Sequence, residues 1–307
     1  PKTKPKALNY ALPLCKGEFL VLYDAEDRPS AGQLREAFTK FTSEGPTLAC
    51  VQAPLHIHNF DQCWLTRLFH IEYLTLFNGI LPVLAKWRTP MPLGGTSNHF
   101  RADILKKVGA WDPFNVTEDA DLGIRLFREG YRCDTITLPT FEEAPSEFDA
   151  WLKQRTRWIK GWMQTILVHS RHPFLLVREI GLKNALSFHI LLTALVVSAL
   201  AHPILLFLLF YKIFFGVVNE QVTSDTVIFL MSVFNLVAGY LTYGLLAYIV
   251  LNSLRKDECK TSLAGIPIYW LIISIAAWRA LVQLYFKPHY WEKTPHSLYN
   301  HKFRQNF

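Results

Sequence analysis

Residues 19–28 read Phe-Leu-Val-Leu-Tyr-Asp-Ala-Glu-Asp-Arg, a short apolar run that leads directly into three acidic side chains. Such a run is typical of a buried strand that ends in a loop. The stretches 48–53 and 133–138 also predict strands, while 61–84 and 119–129 have the apolar spacing of helices. Because strands and helices alternate, the sequence predicts an α/β sheet with mainly parallel strands, which binds ligands at the carboxyl ends of its strands.

A length of 307 residues suggests two domains. The chain also divides into two parts that differ in charge. Residues 1–180 contain 22 Lys and Arg and 20 Asp and Glu, whereas residues 181–307 contain 10 and 5. We therefore expect the first part to be a soluble globular domain and the second to be embedded in a membrane. Five cysteines without a CxxC pair argue against a disulfide scaffold or a zinc module. The basic excess lies mainly in the apolar part, so we expect a lipid bilayer as partner and no nucleic acid.

Two long uncharged stretches, 184–211 and 226–254, exceed the ~20 apolar residues that cross a bilayer. Two buried core helices are the alternative interpretation. A third apolar run, 261–278, is followed by Arg279. The linker 255–260 carries three basic residues, which places it and the soluble domain on the cytoplasmic side. We favour an interfacial or re-entrant third segment, because a third full span would send the basic C-terminal tail to the other side.

Asp24 and Glu26 form an acidic pair directly after the first predicted strand. Two carboxylates one residue apart, in a loop at a strand end, can converge on a hard divalent cation that also takes substrate phosphates. A solvated acidic turn is the alternative. The chain contains neither GxxxxGK[ST] nor GxGxxG, so a bound nucleotide must be held in another way.

Thr117, Glu118, Asp119 and Asp121 stand at the predicted start of a helix. The helix dipole favours negative charge there, and helix capping explains one or two acids more easily than three. A carboxylate held at such a helix end is a candidate general base.

The stretch 154–158 reads Gln-Arg-Thr-Arg-Trp and follows a capping box predicted at 146–149, Ser-Glu-Phe-Asp. Gln154, Arg157 and Trp158 share one helix face, where they can bind phosphate oxygens and stack on a sugar ring. An amphipathic helix on a membrane surface is the alternative.

Three further stretches carry weaker signals. The loop 93–98, Leu-Gly-Gly-Thr-Ser-Asn, lets a ligand approach the backbone closely, or is an ordinary turn. The stretch 290–294, Tyr-Trp-Glu-Lys-Thr, is typical of an interfacial aromatic anchor. His56 and His58 lack an evident third ligand, so we do not expect them to bind a metal.

Together, the acidic pair, the Thr-Glu-Asp element, the QxxRW element and the apolar spans resemble the membrane-bound family 2 glycosyltransferases, such as cellulose, chitin and hyaluronan synthases. The order and spacing of the motifs carry this resemblance over nearly the whole chain. It implies a GT-A-like domain with a Rossmann-like mixed sheet at 1–180, followed by a transmembrane region with interfacial helices and a cytoplasmic C-terminal segment at 181–307.

The resemblance also implies a role for each matching residue. Asp24 and Glu26 would hold Mg²⁺ or Mn²⁺, and Asp119 would be the base in a catalytic element with Thr117 and Glu118. The residues implied to bind the donor diphosphate are Gln154, Arg157 and Lys6. Those implied on the acceptor side are Trp158, Gly95, Thr96, Ser97 and Asn98. Those implied in a gating element are Trp291, Lys293 and Thr294.

The sequence departs from the family pattern in three places. Glu26 stands where the family usually has Asp, and the loop 94–98 lacks the cysteine of cellulose synthases. The family's first strands, which bind the nucleoside, precede the lysine-rich stretch 2–9, so we expect these 307 residues alone to bind donor poorly.

The implied function is an inverting, metal-dependent transfer of a sugar from a nucleotide-diphosphate donor, UDP-linked in our leading interpretation, to a growing β-linked polysaccharide that is exported. The alternatives are single sugar transfer to a lipid carrier and a non-catalytic membrane subunit with a degenerate transferase domain. The resemblance implies a multi-pass protein of the inner (plasma) membrane, with a polysaccharide or glycolipid acceptor and room for accessory export subunits.

Overall fold

The two predicted strands nearest the amino end of the chain are apolar, and both belong to a four-stranded sheet. The computed structural model describes residues 3–215 and 224–292. The sheet has the order β1, β5, β3, β6, with the bounds Phe19–Leu22 (β1), Leu48–Gln52 (β3), Asn98–Arg101 (β5) and Arg132–Thr135 (β6). All five residues of β3 are buried, as expected for a central strand.

The sheet is mixed because β5 runs antiparallel to both of its neighbours, whereas β3 and β6 are parallel. Three of the four strands thus run in one direction and β5 is reversed, which confirms the mixed sheet implied by the resemblance. β5 follows the loop 93–97, so the chain enters β5 from the end at which the other strands leave the sheet, and this connection fixes its direction.

A second, three-stranded sheet lies beside the acidic loop. Its order is β2 (Arg28–Pro29), β7 (Thr140–Glu142) and β4 (Leu55–Ile57), with β7 antiparallel to β2 and parallel to β4. This sheet anchors the residues that directly follow the acidic pair.

Helices surround the sheets and continue into the apolar part of the chain. Their bounds are α1 Lys4–Ala11, α2 Gln33–Glu44, α3 Trp64–Leu74, α4 Leu81–Lys86, α5 Ala102–Lys107, α6 Glu118–Arg128, α7 Phe148–His169, α8 Pro173–Ile180, α9 Leu182–Phe188, α10 Ala194–Phe215, α11 Ser224–Ser253 and α12 Ile266–Phe286. The predicted helix at 61–84 is α3 and α4, joined by a π-helical segment at Thr75–Ile80.

The start of α7 differs from the predicted capping box. The helix begins at Phe148 and has no side-chain cap, although the helix itself is confirmed. The carbonyl oxygen of Ser146 instead lies 3.8 Å from the Cys63 thiol, which donates to it. The capping box occurs at the start of α3, where Cys63 and Thr66 exchange side-chain and backbone hydrogen bonds.

Four helical stretches of the described chain are long and apolar enough to cross a membrane: Trp64–Lys86, Leu182–Phe215, Phe229–Ser253 and Asp257–Phe286. The first of them lies within the predicted soluble domain. Its most apolar window is 56% buried within the protein, against 17% for Phe229–Ser253, so most of its apolar surface packs on the chain itself.

One hydrophobic core continues across residue 180, the predicted domain boundary. It joins Cys50 and Phe100 of the sheet and Leu74 of α3 to Val250 of α11 and Tyr269 of α12. The apolar helices are therefore packed directly on the helices that border the sheet.

Candidate active site

The acidic loop after β1 is held by the loop that precedes β5. The backbone N–H of Asp24 donates to Asp27 Oδ2 at 2.8 Å and to Thr96 Oγ1 at 3.1 Å. The Thr96 hydroxyl donates to the Asp27 carboxylate. These bonds leave the Asp24 carboxylate directed at a lysine of α1.

Lys4 connects the acidic pair to the predicted catalytic acids. Its ammonium group forms an ion pair with Asp24 and donates to the carbonyl oxygen of Gly95 at 2.8 Å. Burial lowers the pKa of Lys4, but the charges of Asp24, Glu118 and Asp119 outweigh burial, so its pKa is raised. The ammonium therefore lies among the carboxylates of two separate sequence motifs.

Lys6, the predicted donor-binding lysine, is exposed and does not join this group. Residues two positions apart on a helix are separated by about 200° around its axis, so Lys4 and Lys6 point in nearly opposite directions. Lys4 was not predicted, although the helical period could have separated the two lysines.

Glu118 and Asp119 begin α6; Glu118 is buried and Asp119 is half-buried. Asp119 Oδ1 accepts a hydrogen bond from the N–H of Ala120 at 2.8 Å, and a Cβ on Gly95 would lie 3.1 Å from Asp119 Oδ2. Burial raises the pKa of both carboxyls, to about 8 for Glu118, and the cations of Lys4 and Arg157 oppose that effect. Glu118 therefore keeps its proton at neutral pH, and we place the negative charge of the pair on Asp119.

This assignment predicts a pH effect on stability that depends on Glu118. An unfolded chain loses the Glu118 proton near the ordinary pKa of 4.5, whereas the folded protein holds it up to about 8. The folded state therefore binds more protons in this window, and its unfolding free energy should fall as pH rises from about 4.5 to 8. Thermal unfolding of the wild type and of Glu118→Gln across this range should show midpoints that diverge; parallel curves would contradict the assignment.

Asp121, the third acid of the element, has a structural role. It accepts hydrogen bonds from Arg125 Nε at 2.7 Å and from His169 Nε2 at 2.9 Å. Burial raises the pKa of Asp121, but these two partners outweigh burial and lower it. The side chain therefore ties α6 to the end of α7 and does not reach the site.

Gln154 and Arg157 present buried polar atoms that lack partners among the residues the structure describes. Gln154 Oε1 and Arg157 Nε are both in this state. Arg157 Nη1 makes one contact of 3.5 Å, with the carbonyl oxygen of Val116. Burial lowers the pKa of Arg157, while the charges of Glu118, Asp119 and Asp24 act in the opposite direction. Buried polar groups are normally hydrogen-bonded, so these atoms indicate room for a ligand.

Trp158 is half-buried and packs away from these atoms. Its ring stacks on Tyr73 at 6.2 Å and lies under the Arg155 guanidinium at 4.7 Å. Its predicted contact with an acceptor sugar stays a prediction.

The four predicted residues of the acceptor loop divide into two pairs. Gly95 and Thr96 border Asp119 and Asp24, as described above. Ser97 and Asn98 are buried: Ser97 Oγ donates to Thr140 Oγ1 at 2.7 Å, and Asn98 Nδ2 donates to the Gly94 carbonyl at 2.5 Å. Ser97 and Asn98 therefore stabilise the conformation of the loop through buried hydrogen bonds.

Gln52, at the end of β3, holds this loop and was not predicted. Its Oε1 accepts from the N–H of Gly94 at 2.8 Å, and its Nε2 donates to the carbonyl of Thr96 at 2.9 Å. The sequence signal that could have identified Gln52 is a polar residue at the end of an apolar strand.

The segment after α12 brings Trp291 against Arg157, with the guanidinium 4.7 Å from the ring centroid. Lys160 Nζ donates to the carbonyl of Tyr290 at 2.7 Å, and Arg279 pairs with Glu292 at 2.6 Å. Trp291 thus lies against Arg157, one of the residues predicted to bind the donor diphosphate. Lys293 and Thr294, predicted in the same gating element, lie outside the described residues.

Gly161 lets α7 approach Thr117 closely. A Cβ at position 161 would lie 2.1 Å from Thr117 Oγ1, an impossible contact. We therefore expect Gly161→Ala to cost about 1–3 kcal/mol of unfolding free energy, because α7 must move away from α6. Gly244→Ala is the matched control, since its Cβ would meet its nearest neighbour at 3.9 Å. Equal thermal midpoints for the two variants would contradict this packing.

A metal fits this site only together with a substrate. Among the described residues, no group of three His, Cys, Asp or Glu side chains is arranged to hold a metal ion. Asp24 and Glu26 supply two carboxylates, and Oδ2 of the nearby Asp27 is held by Thr96 and by the N–H of Asp24. Burial and the charges of Asp27 and Asp24 raise the pKa of Glu142 well above its ordinary value, which favours its neutral form. The Lys4 ammonium shows that Asp24 favours a cation. For a metal ion bound there, phosphate oxygens of the substrate would have to complete the coordination.

A surface groove of about 510 Å³ lies elsewhere, along α2 and the end of β6, and none of the predicted site residues lines it. Its lining residues are Gly32, Arg35, Glu36, Thr39, Lys40, Ser43, Thr135, Ile136 and Thr137.

Comparison with known proteins gives matches to glycosyltransferases. The family model described as "Glycosyl transferase family group 2" matches residues 19–284. The probable glycosyltransferase YdaM of Bacillus subtilis is 27% identical over 179 residues, 58% of this chain and 42% of that protein. Glucomannan 4-beta-mannosyltransferase 2 of Arabidopsis thaliana is 29% identical over 145 residues, 47% of this chain and 27% of that protein. The chain thus spans less than half the length of these curated relatives.

Among solved structures, the mannosyltransferase PcManGT from Pyrobaculum calidifontis, in complex with GDP-Man and Mn²⁺, is similar with a TM-score of 0.49 and 15% identity. The match covers 94% of this chain and 68% of that one.

Proposed function

Because this chain belongs to glycosyltransferase family 2, we propose that it transfers a sugar from a nucleotide-diphosphate sugar to a growing β-linked polysaccharide, with inversion and coupled to export. The observation that carries the proposal is the convergence of three motifs: Lys4 contacts Asp24 and Gly95, and Arg157 interacts electrostatically with Asp24 and Asp119. Elements more than 130 residues apart in sequence therefore form one charged site.

In the proposed reaction, Asp119 takes the proton of the acceptor hydroxyl while the hydroxyl oxygen forms a bond to the anomeric carbon of the donor sugar. The bond from that carbon to the diphosphate breaks at the same time, and its electron pair leaves with the diphosphate. Arg157 has a free Nε–H to donate to the departing phosphate oxygens, which gain negative charge; Gln154 would have to donate to them through its amide nitrogen, because its free Oε1 is an acceptor. A divalent cation at Asp24 and Glu26 would neutralise further charge on the diphosphate. Trp291 would cover one face of the Arg157 guanidinium.

The relatives bear on the choice of donor. Several of them are glucomannan 4-beta-mannosyltransferases by name, which supports testing GDP-mannose beside the UDP-sugars that the sequence alone favoured.

We further propose that the apolar helices place the protein in the inner (plasma) membrane, with the site on the cytoplasmic side. The four stretches long and apolar enough to span a membrane support this placement. The third predicted segment, now α12, belongs to the stretch Asp257–Phe286, which is long and apolar enough to span a membrane; its packing on α7 beside the site is the observation that favours an interfacial position.

The test is incubation of membranes that contain the full-length protein with radiolabelled UDP- and GDP-sugars, with EDTA or Mn²⁺. We expect incorporation from one donor, its loss in EDTA and its recovery with Mn²⁺. Glycosidase digestion and the length of the product separate a polysaccharide from a single sugar on a lipid carrier. Absence of transfer from every donor would favour the non-catalytic subunit and overturn the proposal.

A further inference from the structure

The short helix α8 has an apolar face that the protein does not cover. Its inner side chains, Leu176 and Ile180, are buried in a cluster with Ile124 of α6. On the other side Phe174 is 91% exposed, and Leu175 and Val177 are also exposed. The helix is thus apolar on two faces, of which one is packed.

The exposed face continues into the apolar helices. Leu182 and Leu186 of α9 are exposed, and they belong to the stretch Leu182–Phe215, which is apolar enough to cross a membrane. The outer face of α8 therefore lies where the chain would enter a bilayer.

Basic side chains border this face. Arg171, Arg178 and Lys183 are exposed, and none of them has an ion-pair partner among the residues described by the structure. The one acid between residues 171 and 186, Glu179, pairs with Arg128 of α6 at 2.6 Å. The surface is therefore both apolar and cationic.

We propose that this 171–186 surface, made of the exposed side chains of residues 171–186, docks on a bilayer that contains anionic phospholipids. The apolar side chains enter the boundary between headgroups and acyl chains, and the three cations bind lipid phosphates. The charge of the surface and its continuity with the stretch Leu182–Phe215 select this occupant. Since Ile124 and Arg128 join α8 to α6, docking also holds the helix that carries Asp119 beside the membrane.

The test does not depend on sugar transfer, so it can fail independently of the proposed function. The photoreactive amino acid p-benzoylphenylalanine replaces Phe174 in the full-length protein, which is reconstituted in nanodiscs with equal phosphatidylglycerol and phosphatidylcholine, each radiolabelled in turn. Phe38, a 55% exposed phenylalanine of α2, is the matched control position. If the variant at Phe174 does not fold, the probe is placed at Val177.

We expect labelling by lipid from position 174 and background labelling from position 38. Phosphatidylglycerol should be favoured by about fivefold or more. The triple variant Arg171→Gln, Arg178→Gln, Lys183→Gln should lose this preference while keeping total labelling. A control triple at exposed cations elsewhere, Lys16→Gln, Arg35→Gln, Lys106→Gln, should retain it.

Three outcomes would overturn the proposal. Lipid labelling at position 174 that does not exceed position 38 would place the helix away from the bilayer. Crosslinks to a second copy or another protein would assign the surface to a protein partner. Equal labelling by the two lipids in the wild type would remove the role of anionic headgroups.

Discussion

Replacing Asp119 by Asn is expected to lower the rate of sugar transfer by about 10²–10⁴-fold while the protein still folds. The amide keeps the shape of the side chain and its hydrogen bond from the N–H of Ala120, but it cannot accept the proton of an acceptor hydroxyl. Because burial raises the pKa of this carboxyl, the uncharged amide should not destabilise the fold.

The measurement is initial-rate incorporation of the radiolabelled donor sugar at equal amounts of folded protein. Asp103→Asn, at an exposed carboxylate of α5, should transfer sugar at the wild-type rate. Asp121→Asn should lower the thermal midpoint, because it breaks the contacts with Arg125 and His169. Transfer by Asp119→Asn at the wild-type rate would exclude Asp119 as the base.

Replacing Arg155 by Met is expected to lower the unfolding free energy by about 3–5 kcal/mol. The side chain of Arg155 is 3% exposed and forms a two-point ion pair with Glu72, at 2.5 and 2.6 Å. It also donates to Tyr269 Oη at 3.2 Å, so it joins α7 to α3 and α12. Methionine would leave the Glu72 carboxylate without its cation in a mostly apolar interior.

Arg157→Met, two residues further along α7, gives the contrasting control. Arg157 has no ion pair among the described residues, and burial lowers its pKa, so its loss should cost little stability. Sugar transfer should nevertheless fall sharply, because the diphosphate loses its cation. The double variant Glu72→Leu, Arg155→Met should recover most of the stability lost by Arg155→Met. Equal unfolding midpoints of Arg155→Met and the wild type in detergent would contradict the structural role.

The motifs of the site were predictable because each consists of neighbouring residues with a defined chemistry. Asp24, Asp119 and Arg157 were singled out from their positions after a strand, at a helix start and on a helix face, and the structure brings their charges together. Their roles in binding and catalysis stay predictions.

Residues whose role depends on distant contacts were missed. Lys4 and Lys6 are equivalent in composition, and only the orientation of α1 directs one of them at Asp24. Gln52 holds residues 94 and 96 from a strand more than 40 positions earlier, which no local pattern records. Arg155 and Arg157 look alike in sequence, yet Arg155 pairs with Glu72, whereas Arg157 has no ion pair among the described residues.

The fold shows the same limit. Local apolar periods predicted the strands and helices, but the reversed direction of β5 depends on the path of the preceding loop. The stretch Trp64–Lys86 is apolar enough to cross a membrane, and its partial burial depends on contacts with α11 and α12.

The most direct test is a cryo-EM structure of the full-length protein in nanodiscs with Mn²⁺ and the nucleoside diphosphate of its donor. We expect the ion at Asp24 and Glu26, the diphosphate against Gln154 and Arg157, and Asp119 facing the acceptor. Diphosphate bound elsewhere, for example in the groove along α2, with Arg157 out of contact, would contradict it.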